Sequence, residues 1–144
     1  MNSKILNINL SKDLHAVYFI GIGGIGVSGL ACWCLKNNIK VFGYDREDSQ
    51  ITKELKLAGA NIYHNSIDLE TYNQHDFSIT KNDKKNNMSH EDALCFFNHL
   101  GCSNTLVVYS SAINKDHSIL SLFNQLELFT IKRAQFLGLI AKSY

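Results

Sequence analysis

Six consecutive residues, Gly21-Ile22-Gly23-Gly24-Ile25-Gly26, follow an apolar run ending at Ile20 and precede a helical pattern. Glycines at this spacing grip a pyrophosphate. The first permits a sharp turn off a strand, the second lets a phosphate approach bare backbone, and the third lets helix and strand pack closely. Amides at the start of the following helix have no intrahelical acceptor and sit at the positive end of its dipole, so they suit an anion such as a nucleotide diphosphate. Asp45 stands 19 positions after Gly26, close to where a dinucleotide-binding fold places the acid that accepts hydrogen bonds from a ribose. A carboxylate there repels a 2′-phosphate, so Arg46 beside it is only a weak argument for NADP. Asp is equally at home in a plain strand-to-turn junction. Ser110-Ser111-Ala112-Ile113 ends a second apolar run, and small hydroxyl residues at that place face a crevice across from the glycine loop. Serine also simply terminates strands.

No other constellation rises to chemistry, and no catalytic residue is assigned. The six histidines match no Ser-His-Asp or HExxH-like pattern, and no G-x-x-x-x-G-K-[ST] loop is present, which excludes a Walker-type ATP site. His15 and His64 stand at strand ends and read as structural or solvated. Cys95, His99 and Cys102 lack a fourth ligand and the spacings of a zinc site, so no metal is expected. Cys32 and Cys34, two apart on a helix, point in different directions and cannot pair with each other; they read as buried thiols of a reducing compartment.

Composition sets the class. A chain of 144 residues, 45% hydrophobic and 19% charged, is one globular domain. Its formal charge of +1 argues against bulk attraction to nucleic acid or anionic lipid. No stretch reaches the ~18 apolar residues of a membrane span. Residues 1–10 are too short and polar for a signal peptide, so a cytoplasmic location is expected.

The elements that must hold the glycine loop follow from periodicity. His15 to Ile20 reads as a buried strand, Gly24 to Lys36 as a helix, and Ile39 to Tyr44 as a second strand with Asp45 at its carboxyl end. Ser49 caps a helix through Leu57 that Gly59 stops, and Ala60 to His64 is a third strand. Thr105 to Ser110 is the fourth, followed by a helix from Asp116 to Leu126, a short strand Leu128 to Ile131 and a helix from Arg133. This βαβ rhythm predicts an α/β, Rossmann-like, doubly wound parallel sheet of about five strands in the order 3-2-1-4-5. Between strands three and four, residues 73–103 read as an insertion. It comprises a charged, amide-rich loop at Thr80 to Asn87 and a Ser89-capped helix from Glu91 to Leu100, decorating the surface and offering Phe96 and Phe97 as an exposed apolar patch.

Taken together, Phe19 to Ala31, Val41 to Asp45, Ile51 to Leu55 with Gly59-Ala60, Val107 to Ile113, and Ile131-Lys-Arg-Ala134 resemble the N-terminal domain of the Mur ligase family, in the branch that joins L-alanine to UDP-N-acetylmuramate. The likeness covers most of the chain outside residues 65–103. It implies that residues 1–144 are a UDP-sugar-binding domain in which Gly21, Gly23, Gly24, Ile25 and Gly26 cradle the diphosphate. Asp45 and Ser110, Ser111 and Ala112 would help hold the uridine and sugar side, and Arg133 also matches a family position. In such enzymes ATP and magnesium bind a central domain and a C-terminal domain helps bind the amino acid; the muramyl carboxylate becomes an acyl phosphate that alanine's amine attacks. The resemblance therefore implies a chain, ending just before the ATP loop, that binds UDP-N-acetylmuramate without turning it over. L-Alanine and ATP would be partners of the full-length enzyme only. Tyr18 and Gln135 depart from the family, which usually has a histidine and an acid there. Two other readings share the glycine loop: a stand-alone NAD-binding regulatory or redox domain, and an interaction module built on the inserted helix.

Overall fold

The computed structural model describes residues 13–75 and 88–143. Five strands form one parallel sheet: β1 (Ala16–Ile20), β2 (Lys40–Tyr44), β3 (Asn61–Tyr63), β4 (Thr105–Tyr109) and β5 (Thr130–Lys132), in the order β3-β2-β1-β4-β5. β1 is central, pairing with β2 on one side and β4 on the other, and all five of its residues are buried. That explains its unbroken apolar run, since a strand covered on both faces has no solvent side to mark with polar residues.

Helices cover the two faces separately. α1 (Ile25–Lys36), α2 (Gln50–Leu57) and α6 (Arg133–Lys142) pack on Val17 and Phe19 of β1 through Leu30, Cys34, Leu55 and Phe136. α4 (His90–Leu100) and α5 (Ser118–Gln125) pack on Ala16, Tyr18 and Ile20 through Leu94, Phe97 and Phe123. A further short helix, α3 (Leu69–Gln74), was not foreseen; Asp68 caps it at Thr71 N–H, 2.9 Å away, and none of its residues is buried. Serine caps fix the starts of α2 and α4: Ser49 accepts from Thr52 N–H at 3.2 Å and Ser89 from Asp92 N–H at 3.1 Å. Among the described residues, no helix is long and apolar enough to cross a membrane.

The sheet order agrees with the sequence reading, as do the helices apart from α3, and three further details correct it. First, Phe97 is completely buried, with its ring edge-on to those of Tyr18, Phe42 and Phe123, while Phe96 is half-buried beside Phe42. The expected apolar patch is thus core: a chain returning from β3 to β4 must cross a sheet face, and α4 is the helix that covers it. Second, the last strand begins at Thr130, because Glu127 adopts φ +61 and Leu128 N–H closes back on Phe123 O at 3.1 Å. Third, all four cysteines are free, and only Cys34 is buried; Cys32 is exposed. The charged run at Thr80 to Asn87 lies outside the described residues.

Candidate functional site

The glycine loop leaves β1 at Gly21, whose φ of +84 suits a residue without a side chain. Gly21 N–H and Ile22 N–H both donate to Tyr44 O, at 2.8 and 3.1 Å, which ties the loop to the carboxyl end of β2. Ile22 then turns inward onto Gly43. A Cβ at Gly43 would lie 2.6 Å from Ile22 Cδ1, so this strand must be bare where the loop crosses it. Gly24 N–H closes a turn onto Gly21 O at 3.1 Å, and Gly24 is itself the N-cap of α1, with no side chain to cap it. The first intrahelical bond is Ser28 N–H to Gly24 O. Helix geometry leaves the amides of Ile25, Gly26 and Val27 without intrahelical acceptors.

Asp45 sits where the sequence places it and is already engaged. Its Oδ2 accepts from Gly23 N–H at 2.8 Å and its Oδ1 from Glu47 N–H at 2.9 Å. One carboxylate therefore shapes both the glycine loop and the turn after β2. His64 adds to the brace, its Nδ1 lying 2.8 Å from Asp45 O. The amides expected to cradle a diphosphate accordingly divide: those of Gly21, Gly23 and Gly24 bond within the protein, while those of Ile25 and Gly26 stand at the open start of α1.

Between the ends of β1, β2 and β4 lies a cleft of about 420 Å³, lined by Gly21, Gly24, Tyr44, Asp45, Ser110 and His117 among others. It opens where the chain order reverses, β1 having β2 on one side and β4 on the other, the usual place for ligands in doubly wound sheets. Ser110 Oγ accepts from Ala112 N–H at 3.1 Å, and Ile113 N–H donates to Ser110 O at 3.1 Å, so the segment after β4 is a tight turn with its hydroxyl at the cleft. Ala112 lines the cleft as well; Ser111 is exposed and does not.

Arg133, first residue of α6, reaches across to α1. Its Nη1 and Nε lie 3.1 and 3.2 Å from where a Cβ on Gly26 would be. The missing side chain at Gly26 is what admits a guanidinium to the positive end of α1. Among the described residues no carboxylate forms an ion pair with it. Gln135, one of the two departures from the family, has a local role: its Oε1 accepts from Lys132 N–H at 2.9 Å and closes the start of α6. The other departure, Tyr18, is buried beneath the sheet, where its hydroxyl meets His90 Nε2 at 2.6 Å, away from the cleft.

Of the ten expected residues, Gly21, Gly24, Asp45, Ser110 and Ala112 line the cleft, Gly23, Ile25, Gly26 and Arg133 lie at the loop and the adjoining α1 start, and Ser111 is exposed outside the lining. Sequence reasoning missed Tyr44, Asn114 and His117, all of which line the cleft. Spacing gave no signal for them, because they meet only once β2 and the turn after β4 are brought together.

Fold and cleft define a doubly wound α/β domain whose glycine loop opens on a polar cleft at the sheet's switch point. A family profile described as Mur ligase family, catalytic domain, matches residues 16–144. The chain belongs to the Mur ligase family. It is 34% identical over 129 residues to the UDP-N-acetylmuramate--L-alanine ligase of Cytophaga hutchinsonii, covering 90% of this chain and 22% of that protein. It is 36% identical over 138 residues to the enzyme of the same name from Flavobacterium psychrophilum, covering 95% of this chain and 24% of that one. The fold is also that of the crystal structure of UDP-N-acetylmuramate-alanine ligase from Thermotoga maritima, at a TM-score of 0.60 and 20% identity over 88% of this chain and 23% of that one. The chain spans under a quarter of the length of these relatives.

Proposed function

We propose that this chain is the UDP-sugar-binding domain of a ligase that adds L-alanine to UDP-N-acetylmuramate in peptidoglycan synthesis. The observation that carries the proposal is the start of α1, with no side-chain cap, flanked by Arg133, which has no ion-pair partner among the described residues, and opening beside a polar cleft at the sheet's switch point. In this reading the amides of Ile25 and Gly26, the α1 dipole and Arg133 hold the diphosphate. Gly21, Gly23 and Gly24 shape the turn, and Gly23 acts by presenting its amide to Asp45. Asp45, Ser110 and Ala112 border the uridine and sugar, with Ser111 at the rim.

Each charge-assisted hydrogen bond to phosphate contributes about 1.5–3 kcal/mol, so a few together support a dissociation constant between about 1 µM and 1 mM. In this reading ATP and magnesium are not ligands of this chain. It has no lysine-bearing phosphate loop, and among the described residues no three His, Cys, Asp or Glu side chains are grouped to hold a metal. We assign both, with L-alanine, to other parts of a longer cytoplasmic enzyme, and we propose neither a nucleic acid nor a membrane partner.

Thermal unfolding with added nucleotide tests the proposal. UDP or UDP-N-acetylmuramate at one hundred times its dissociation constant stabilises the fold by about 2.7 kcal/mol, a shift of several degrees. NADH is expected to give none. Protection by NADH and not by UDP would overturn the ligase reading in favour of a redox or regulatory domain.

A further inference from the structure

We propose that His117 donates a hydrogen bond from Nε2 to an uncharged oxygen, a ribose hydroxyl or a uracil carbonyl, of the nucleoside bound in the cleft. The inference rests on the cleft being the UDP site proposed above. His117 precedes α5 and serves as its N-cap, accepting from Ile119 N–H through Nδ1 at 3.2 Å. An imidazole that accepts at Nδ1 in its neutral form carries its proton on Nε2. The cap therefore fixes the tautomer and leaves a donor on the far side of the ring. Tyr44 holds the ring edge-on, with centroids 5.2 Å apart and planes at 63°.

His117 lines the same cleft as Gly21, Asp45 and Asn114, and among the described residues nothing accepts from its Nε2. A half-buried donor without a protein partner is costly unless water or a ligand accepts from it. Burial also lowers the imidazole's pKa and so favours the neutral ring. Protonation would set a second N–H against that of Ile119 and break the cap. A neutral donor suits a neutral oxygen; the diphosphate has the α1 amides and Arg133. Charged groups near the ring are Asp45, Arg46 and Glu47 at the β2 end and Lys115 and Asp116 on its own loop.

Two substitutions separate the donor from the cap. His117→Ser keeps a hydroxyl that can accept from Ile119 N–H but is too short to reach into the cleft, whereas His117→Ala removes both functions. Titration calorimetry on the whole chain is expected to show UDP binding weakened about three- to tenfold in both variants, with the melting temperature lowered in His117→Ala alone. UDP binding by His117→Ser equal to that of the unaltered chain would reduce His117 to a helix cap and overturn the inference, leaving the UDP reading intact. No UDP binding by the unaltered chain would remove the reading first and the inference with it. Nitrogen-15 spectra of the histidine give a check free of substitution: the proton is expected on Nε2, with a shift at Nε2 on adding UDP. A proton on Nδ1, or no shift in a chain that binds UDP, also overturns the inference.

Discussion

At the scale of single residues, the site is organised by what is left out as much as by what is present. The bare Gly26 admits Arg133 to the head of α1, the bare Gly43 admits Ile22, and the bare Gly23 lets Asp45 approach to hydrogen-bond distance. Arg133 is the residue whose role is easiest to isolate, since its guanidinium has no ion-pair partner among the described residues and lies against the helix start. Arg133→Gln removes the charge and keeps much of the side chain's apolar stem. UDP affinity is expected to fall about tenfold at low ionic strength, with a smaller loss at high salt, while stability stays within about 0.5 kcal/mol. Uridine, which lacks phosphates, should bind both forms equally. Calorimetry at two salt concentrations measures this, and an equal loss for uridine would show that Arg133 shapes the cleft instead of meeting the diphosphate.

At the scale of elements, the link between β1 and α4 carries a pH dependence. His90 is buried at the start of α4, with Nε2 on the Tyr18 hydroxyl, Nδ1 2.8 Å from Asn65 O, and its ring stacked on Tyr63 at 4.5 Å. Nδ1–H donates to the carbonyl and Nε2 accepts from Tyr18, so the ring is neutral, and burial lowers its pKa from 6.5 to about 4. The unfolded chain therefore takes up a proton below pH 6.5 that the folded chain refuses until about pH 4. Stability is full above pH 6.5 and is lost as the pH falls to 4, with a total of about 3 kcal/mol and a slope approaching 1.4 kcal/mol per unit. His117 shifts the same way and adds to the loss. Urea unfolding across this range checks the slope; His90→Gln, less stable at pH 7, should flatten it. None of this was legible in sequence. The glycine loop, the strand order and the Ser49 and Ser89 caps are local signals, set by spacing within a few residues. The Tyr18–His90 bond joins positions 72 apart, and the burial of Phe97 depends on which sheet face still lacks a helix. Residue type told that Phe97 is apolar; only the topology told that it faces inward.

At the scale of the whole molecule, the proposed reading predicts that binding and turnover separate. Joining an amine to a muramyl carboxylate through an acyl phosphate requires three reactants in contact, with ATP's phosphates held in line with the carboxylate. The described residues offer one cleft at the switch point, suited to a nucleotide, and the chain lacks the lysine-bearing loop that would grip a second set of phosphates. Asp45, Arg46 and Glu47 line that cleft at the carboxyl end of β2, and Arg133 stands beside it at the start of α1. The expected behaviour of this chain alone is saturable UDP-N-acetylmuramate binding with no release of ADP or phosphate when ATP, magnesium and L-alanine are added, and no change in UDP affinity on adding ATP. A coupled assay for ADP and calorimetry with and without ATP measure both. ADP release that depends on both UDP-N-acetylmuramate and alanine would place a complete catalytic centre within these 144 residues, and would require the cleft to be reassigned as the site of more than one substrate.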